Sequence, residues 1–283
     1  MCQNALVPAL KEIDKMAKSI LSPLVRALNR RVAATVARIH LNVYKNDPAP
    51  WMDSEEGPSF VQKYLSGIFE VIAKNQLAKL PPEYASAVAS SVACFSIYTF
   101  VSNVALIRPL GESARLHVTQ DLADFELILE QFIAKSGWSQ SLSQIENGKP
   151  YAELRAVRQM LFWTGLDDKE KAPETIAKSM LRETWVKDVR PSTVCHFLFA
   201  FAPSLLSSPH HTKRMKPEEY VASLVLPDGS IEDGEASAWM TIMACCDSYQ
   251  QRESVERREA DGDARVPKVL MTIGPELLRP RRH

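Results

Sequence analysis

The sequence predicts an all-α protein, an elongated rod built from helical bundles. Apolar residues recur at steps of three and four in at least six segments, the spacing of one face of an α-helix. No comparable stretch alternates apolar and polar residues as a half-buried strand does. Glycine is also scarce, at 10 of 283 residues, which suits long helices better than a sheet with many turns.

The first predicted helix has one apolar stripe along its length. Its members are Leu6, Leu10, Ile13, Met16, Ile20, Leu24, Leu28, Val32, Val36 and Ile39. Pro23 lies inside the stripe, and we expect it to kink or divide the helix near residues 21–22, because proline removes a backbone hydrogen bond and clashes with the preceding turn. We interpret the arginines on the other face as a solvated polar surface.

Prolines and polar residues delimit the next two helices. Residues 45–58 are acidic and proline-containing, and they predict a surface loop. Ser59 is a plausible N-cap for the helix that follows, and the proline pair at 81–82 ends it. Residues 84–107 then contain no charge and are long enough to cross a bilayer. Because serine, threonine and asparagine dilute their apolar residues, we expect a central helix packed on several sides.

A helix-turn-helix joint follows at residues 108–112, and the amphipathic helix after it is predicted to end near Gly137. We expect its Leu122, Phe125 and Leu129 to pack against the uncharged helix. The carboxylates on its other positions, including Asp121 and Asp124, are expected to face water as ordinary surface charge.

The remainder of the chain predicts shorter helices at residues 151–162, 173–189, 192–201, 217–224, 235–259 and 266–278. Ser192 or Thr193 is expected to cap the third of these. Between the helices, residues 208–217 predict a basic loop. The polar segments at 139–150 and 164–173 suggest a boundary between an N-terminal helical bundle portion, 1–137, and a C-terminal portion, 150–283, packed end to end.

No group of residues has the spacing of a reactive site. The adjacent pairs His210–His211 and Cys245–Cys246 lack the spacing of metal ligands. Cys195 stands beside His196, but a nucleophile and its base usually meet across the fold, so we interpret Cys195 as a buried thiol. We therefore expect no metal, no cofactor and no enzymatic activity.

Charge and cysteine content constrain the partners and the compartment. Lysine plus arginine and aspartate plus glutamate each number 34, so the chain has no net charge to attract nucleic acid over a distance. Five cysteines without paired spacing, and no Asn-X-Ser/Thr sequence, indicate a reducing compartment. No signal peptide is predicted at residues 1–10, and no transmembrane segment is expected.

Several strings resemble one family. They are VSNVALIRPLGESARLHVTQDLADFELIL (101–129), YAELRAVRQMLF (151–162) and FLFAFAPSLLSSP (197–209), continued at 220–224 and 274–278. In this order they are similar to the subunit-five family of the conserved oligomeric Golgi complex, a vesicle tether. Ser113 stands where that family often has glycine, and Gln159 where it often has proline. The resemblance covers the C-terminal part of the family's subunit, which implies that the chain is a fragment of it.

The resemblance implies a helical-rod subunit of the vesicle-tether type with no catalytic site to transfer. It further implies a peripheral position on the cytosolic face of the Golgi membrane and a role in retrograde intra-Golgi transport. The implied partners are the other subunits of the complex, together with membrane-fusion proteins and small GTPases. Our first choice of partner-binding surface is the stripe of the first helix, represented by Leu28 and Val32. The alternatives are a generic helical adaptor, which would show a repeat of about 35 to 45 residues, and a helical enzyme, which would need a pocket with convergent ionisable groups.

Overall fold

The computed structural model describes residues 2–41, 58–137, 141–252 and 263–278. Throughout these ranges the regular structure is helical and no strand occurs, so the all-α prediction is confirmed. The α-helices in them are α1 Cys2–Val36, α2 Ser66–Asn75, α3 Pro82–Ala105, α4 Glu112–Lys135, α5 Lys149–Leu161, α6 Pro173–Leu181, α7 Pro191–Leu198, α8 Pro209–Thr212, α9 Pro217–Leu224, α10 Glu232–Arg252 and α11 Val266–Leu278. Short 3-10 turns extend or join several of them.

The uncharged helix α3 lies at the centre of the structure. Every side chain from Val92 to Ala105 is buried, and α1, α4, α5, α7 and α9 all pack against it. Among the described residues, α3 is the one helix long and apolar enough to span a membrane, and 72% of that apolar window is buried inside the protein. Some of its polar side chains bond within the helix, as when the Asn103 amide donates to the Thr99 carbonyl at 2.8 Å.

Helix α1 forms as the apolar stripe predicts, but it is not divided at Pro23. It continues from Cys2 to Val36 as one helix, and Pro23 itself is exposed. A proline ring that faces solvent does not disturb side-chain packing, so the loss of one backbone hydrogen bond is not enough to separate the helix into two.

Helix α4 follows the joint as predicted. It begins at Glu112, and Gly137 just beyond its end has a left-handed backbone, with φ of 77°. Leu122, Phe125 and Leu129 are fully buried, which confirms their placement in the core. The ring of Phe125 stacks on that of Phe100 in α3, with 4.4 Å between centroids.

The expectation that Asp121 and Asp124 face water is wrong. Both are buried, because they bind the start of the helix that leads into α2. The Val61 amide donates to Asp121 at 3.1 Å, and the Ser59 hydroxyl donates to Asp124 at 2.6 Å. The Ser59 oxygen in turn accepts the Gln62 amide hydrogen at 3.2 Å, so its predicted capping role is confirmed.

Three boundaries in the second half differ from the prediction. The helix expected at 173–189 ends at Leu181 and is followed by a 3-10 turn, Thr184–Lys187. Helix α7 begins with Pro191 and has no capping hydrogen bond from a side chain, because the Ser192 hydroxyl donates to Glu235 instead. The basic segment at 208–217 contains the short helix α8.

Some predicted segments lie partly or wholly outside the described residues. These are the acidic loop, the first part of the polar segment after α4 and the end of the helix predicted at 235–259. Where both halves of the chain are described, their buried apolar side chains form one cluster. The division into portions 1–137 and 150–283, and the elongated shape, stay predictions.

Candidate interaction surfaces

The adjacent residues Cys195 and His196 lie in the core. Burial raises the pKa of the Cys195 thiol, so the thiol stays protonated. Burial also lowers the pKa of His196 to about 3, and its Nε2 atom is 2.8 Å from the Tyr220 hydroxyl. A protonated thiol and a histidine bonded elsewhere do not form a nucleophile and base.

The adjacent histidines His210 and His211 lie closer to the surface than His196 does. The rings of His210 and His211 meet edge to face, with 4.2 Å between centroids. Nδ1 of His210 is 2.8 Å from the Ser208 hydroxyl, and burial lowers the pKa of His210 to about 4. In the part of the chain that the structure describes, no three histidine, cysteine or acidic side chains are placed to hold a metal ion.

A buried ion pair links the helices around α3. The guanidinium of Arg190, just before α7, donates from Nε to Glu153 of α5 at 2.8 Å. Its Nη2 atom donates to the Tyr98 carbonyl and to the Ser102 hydroxyl of α3, each at 3.0 Å. The Thr193 hydroxyl donates to the same Glu153 carboxylate at 3.0 Å. This arrangement holds three helices in register and offers no free group for chemistry.

The strings that carry the family resemblance meet one another in space. Arg108 at the joint donates to the carbonyls of Pro203 and Leu206, in the string at 197–209, at 2.5 and 2.7 Å. Sequence reasoning did not anticipate these bonds, because they join residues more than 90 positions apart.

The string at 151–162 packs on α4 in the same way. Arg158 donates to the Leu122 carbonyl at 3.0 Å and to the Glu126 carboxylate at 2.6 Å. The Tyr151 hydroxyl donates to Glu126 as well, at 2.5 Å. The matching residues therefore serve as framework contacts between helices.

Leu28 and Val32 do not lie on an open surface. They are 4% and 0% exposed, because this part of α1 packs against α3. Their role in partner binding stays a prediction, and it would require α1 to separate from α3.

Helices α1 and α4 each expose more than one large apolar side chain. On α1, Ile13, Met16 and Ile20 are 56%, 57% and 77% exposed. On α4, Leu116 and Leu127 are 40% and 53% exposed. The sequence stripe could not separate these positions from core positions, because helical periodicity gives a face but not what covers it.

Known proteins were then compared with the chain. It is 26% identical, over 97% of its length, to conserved oligomeric Golgi complex subunit 5 of Arabidopsis thaliana. It is 25% identical, over 73% of its length, to the subunit of the same name from Mus musculus. The resemblance to this subunit is confirmed. No protein-family model matches the chain, and no solved structure matches it significantly.

The match covers only part of each relative. The chain spans 30% of the length of the Arabidopsis subunit 5 and 23% of the mouse subunit 5. The exposed apolar side chains of α1 and α4 are the candidate interaction surfaces of the part of the chain that the structure describes.

Proposed function

We propose that this chain is a non-catalytic subunit of a Golgi vesicle-tethering complex. It supports retrograde intra-Golgi transport from a peripheral position on the cytosolic face of the membrane, by binding sister subunits, membrane-fusion proteins and small GTPases. The observation that carries the proposal is the similarity to two proteins named subunit 5 of the conserved oligomeric Golgi complex, along 97% and 73% of the chain. The long amphipathic helices support it, since they offer extended side faces for pairing with other helices.

The outward face of α4 is our proposed docking site for a helix of a sister subunit. Six of its exposed positions recur at steps of three and four along most of the helix, flanked by exposed Glu112, His117, Glu130 and Lys135. The six are Leu116, Gln120, Ala123, Leu127, Gln131 and Ala134. These side chains extend over about 27 Å of helix, and none of them has a charge. An uncharged seam of this spacing fits an apolar helix that packs side by side, because no charge is desolvated when the two meet.

Co-purification with each sister subunit tests the proposal. The wild-type chain should capture at least one sister subunit at micromolar concentration. Replacing both Leu116→Asp and Leu127→Asp should weaken that capture at least tenfold, since two carboxylates would be placed in an apolar interface. Met240→Asp on α10 is the control, because Met240 is 74% exposed and lies on another helix.

The outcomes separate the function from the site. If the wild-type chain captures no sister subunit, the assembly proposal fails. Capture that survives the α4 substitutions would keep the function and discard this face. Binding at Leu28 and Val32 would instead require α1 to leave α3, and faster hydrogen exchange of α1 amides in the presence of a sister subunit would reveal it.

A further inference from the structure

The zero net charge of the chain conceals a separation of charge. Residues 2–41, which contain α1, include seven lysines and arginines but only two acidic residues, a net charge of +5. The other residues therefore have a net charge of −5. Screening limits electrostatic attraction to about 8 Å at physiological salt. At that range the charge of the contacting face matters, and the charge of the distant remainder does not.

Part of this basic charge lies on the same side of α1 as the exposed apolar residues. With about 100° of rotation per residue, Ile13, Met16, Ile20, Arg30 and Arg31 lie within about 100° of the helix circumference. All five are exposed, and so is Glu12, which lies at the same angle as Arg30, so this arc contains two cations and one carboxylate. The core-facing residues of α1 lie on the other side and pack against α3. We call these five residues the outward face of α1.

The cations of this helix differ in their surroundings. Among the residues whose side chains the structure describes, none forms an ion pair with Lys15, Arg30 or Arg31 or accepts a hydrogen bond from their charged groups. Arg38, beyond the end of α1, stacks on the Tyr64 ring at 4.4 Å. Hydrogen bonds from Ser230 lower the pKa of the Asp228 carboxyl, and Arg26 adds a smaller contribution in the same direction. The two cations of the outward face thus remain available to an external anion.

The pattern on this face fits a membrane better than a second helix. A partner helix would need a continuous seam of large apolar side chains, but beyond Ile20 this face presents only Pro23, Ala27 and Ala34 beside the two arginines. A lipid surface has no such requirement. Single apolar side chains can enter the headgroup region while guanidinium groups bind lipid phosphates and carboxylates.

We infer that the outward face of α1 docks on an anionic lipid surface. Ile13, Met16 and Ile20 enter the headgroup region, and Arg30 and Arg31 bind the headgroups. This inference adds a membrane contact to the proposed tethering function, in which sister subunits bind elsewhere. Each cation near an anionic surface contributes about fivefold to binding, so this face should bind weakly and reversibly.

Vesicle flotation with the purified chain tests the inference. The bound fraction should be at least about fivefold higher with phosphatidylcholine vesicles that contain about 30% phosphatidylserine than with phosphatidylcholine alone. It should fall as sodium chloride rises from about 0.1 to about 0.5 M. Arg30→Gln combined with Arg31→Gln should lower binding by about tenfold or more, and Met16→Ser combined with Ile20→Ser should lower it as well.

The control variant removes the same charge from a different helix. Lys178 and Arg182 of α6 are both exposed, and Lys178→Gln combined with Arg182→Gln should leave vesicle binding unchanged. Equal losses in the α1 and α6 variants would show a nonspecific charge effect and overturn the inference. Absence of wild-type flotation, or binding that does not depend on salt, would overturn it too.

The same variants distinguish the inference from the proposed function. If the arginine variant loses vesicle binding but still captures a sister subunit, the lipid inference and the proposed tethering function are both supported. If the wild-type chain fails to bind vesicles and the arginine variant loses its sister subunit, the face is a protein interface and the lipid inference is wrong. Vesicle binding without capture of any sister subunit would support the inference and contradict the proposed function.

Discussion

At the scale of single residues, the Glu153–Arg190 pair shows how a buried charge is accommodated. Carboxylate and guanidinium are both almost fully buried, and the Tyr98 carbonyl and the Ser102 and Thr193 hydroxyls add hydrogen bonds to them. Among the described residues, Nη1 of Arg190 has no hydrogen-bond partner and lies 4.0 Å from the Glu235 carboxylate. The desolvation of both ions opposes folding, and the pair repays this only while both members are present.

Glu153→Gln should therefore destabilise the chain by about 3 to 5 kcal/mol, because it removes the hydrogen-bonded counter-ion of a buried guanidinium and leaves only Glu235, 4.0 Å from Arg190 Nη1. Replacing both residues, Glu153→Met with Arg190→Met, should recover much of that loss. Urea unfolding monitored by circular dichroism measures both. Glu70→Gln in the exposed pair with Lys74 is the control and should have no measurable effect. If the double variant is less stable than Glu153→Gln, the counter-ion explanation is wrong.

Acid should destabilise the chain through His196. Its pKa is lowered by burial from the ordinary value near 6.5 to about 3. Between these values the unfolded chain binds a proton that the folded chain does not, so the free energy of unfolding falls as pH falls below about 6.5. The decrease approaches about 1.4 kcal/mol per pH unit.

Thermal unfolding at pH 7 and at pH 5 measures this effect. A His196→Gln variant should lose less stability than the wild-type chain over the same interval, whatever its stability at pH 7. Equal losses in the two proteins would show that His196 is not responsible.

At the scale of elements, α4 depends on a stack of aromatic rings against α3. Phe125→Ala removes a fully buried ring that stacks on Phe100, and should destabilise the chain by about 3 to 5 kcal/mol. Leu127→Ala is the matched control, because that side chain is half exposed on the same helix. Chemical denaturation of the two variants measures the difference, and a midpoint unchanged by Phe125→Ala would contradict its place in the core.

Helix positions could be predicted from the sequence far better than the contacts between helices. The uncharged run, the prolines and the apolar spacing were enough for α3, α4, α5, α9 and α11. The burial of Asp124 could not be predicted, because its partner Ser59 lies 65 residues away. Ser192 was misread for the same reason, since its acceptor Glu235 lies 43 residues away. Helix propensity depends on neighbouring residues in the sequence, whereas these hydrogen bonds form only after the helices have packed against one another.

The prediction of a partner-binding surface is limited in the same way, because the sequence of a helix does not show which other helices cover it. The stripe that predicted α1 correctly also suggested Leu28 and Val32 as partner contacts, yet α3 covers both. Residues of one stripe differ in exposure because the stripe winds around α1, so that Ile13, Met16 and Ile20 lie on the side opposite the core-facing residues.

At the scale of the whole molecule, the described residues share one apolar cluster across both halves of the chain. Because α3 packs against helices from both halves, we expect a single cooperative unfolding transition. Differential scanning calorimetry should give one peak whose calorimetric and van't Hoff enthalpies agree. Two resolved peaks would indicate instead that portions 1–137 and 150–283 unfold independently, as end-to-end packing would allow.

The central position of α3 also affects the chain during its synthesis. α3 ends at Ala105, whereas α9, which packs against it, ends at Leu224. At about 5 to 20 residues per second, translation needs roughly 6 to 24 seconds to deliver the last covering helix. During that interval a ribosome-bound intermediate presents the uncharged residues 84–107 before all the helices that cover them have been synthesised. A nascent chain of this kind requires a chaperone, and it is a competing substrate for the machinery that inserts membrane proteins.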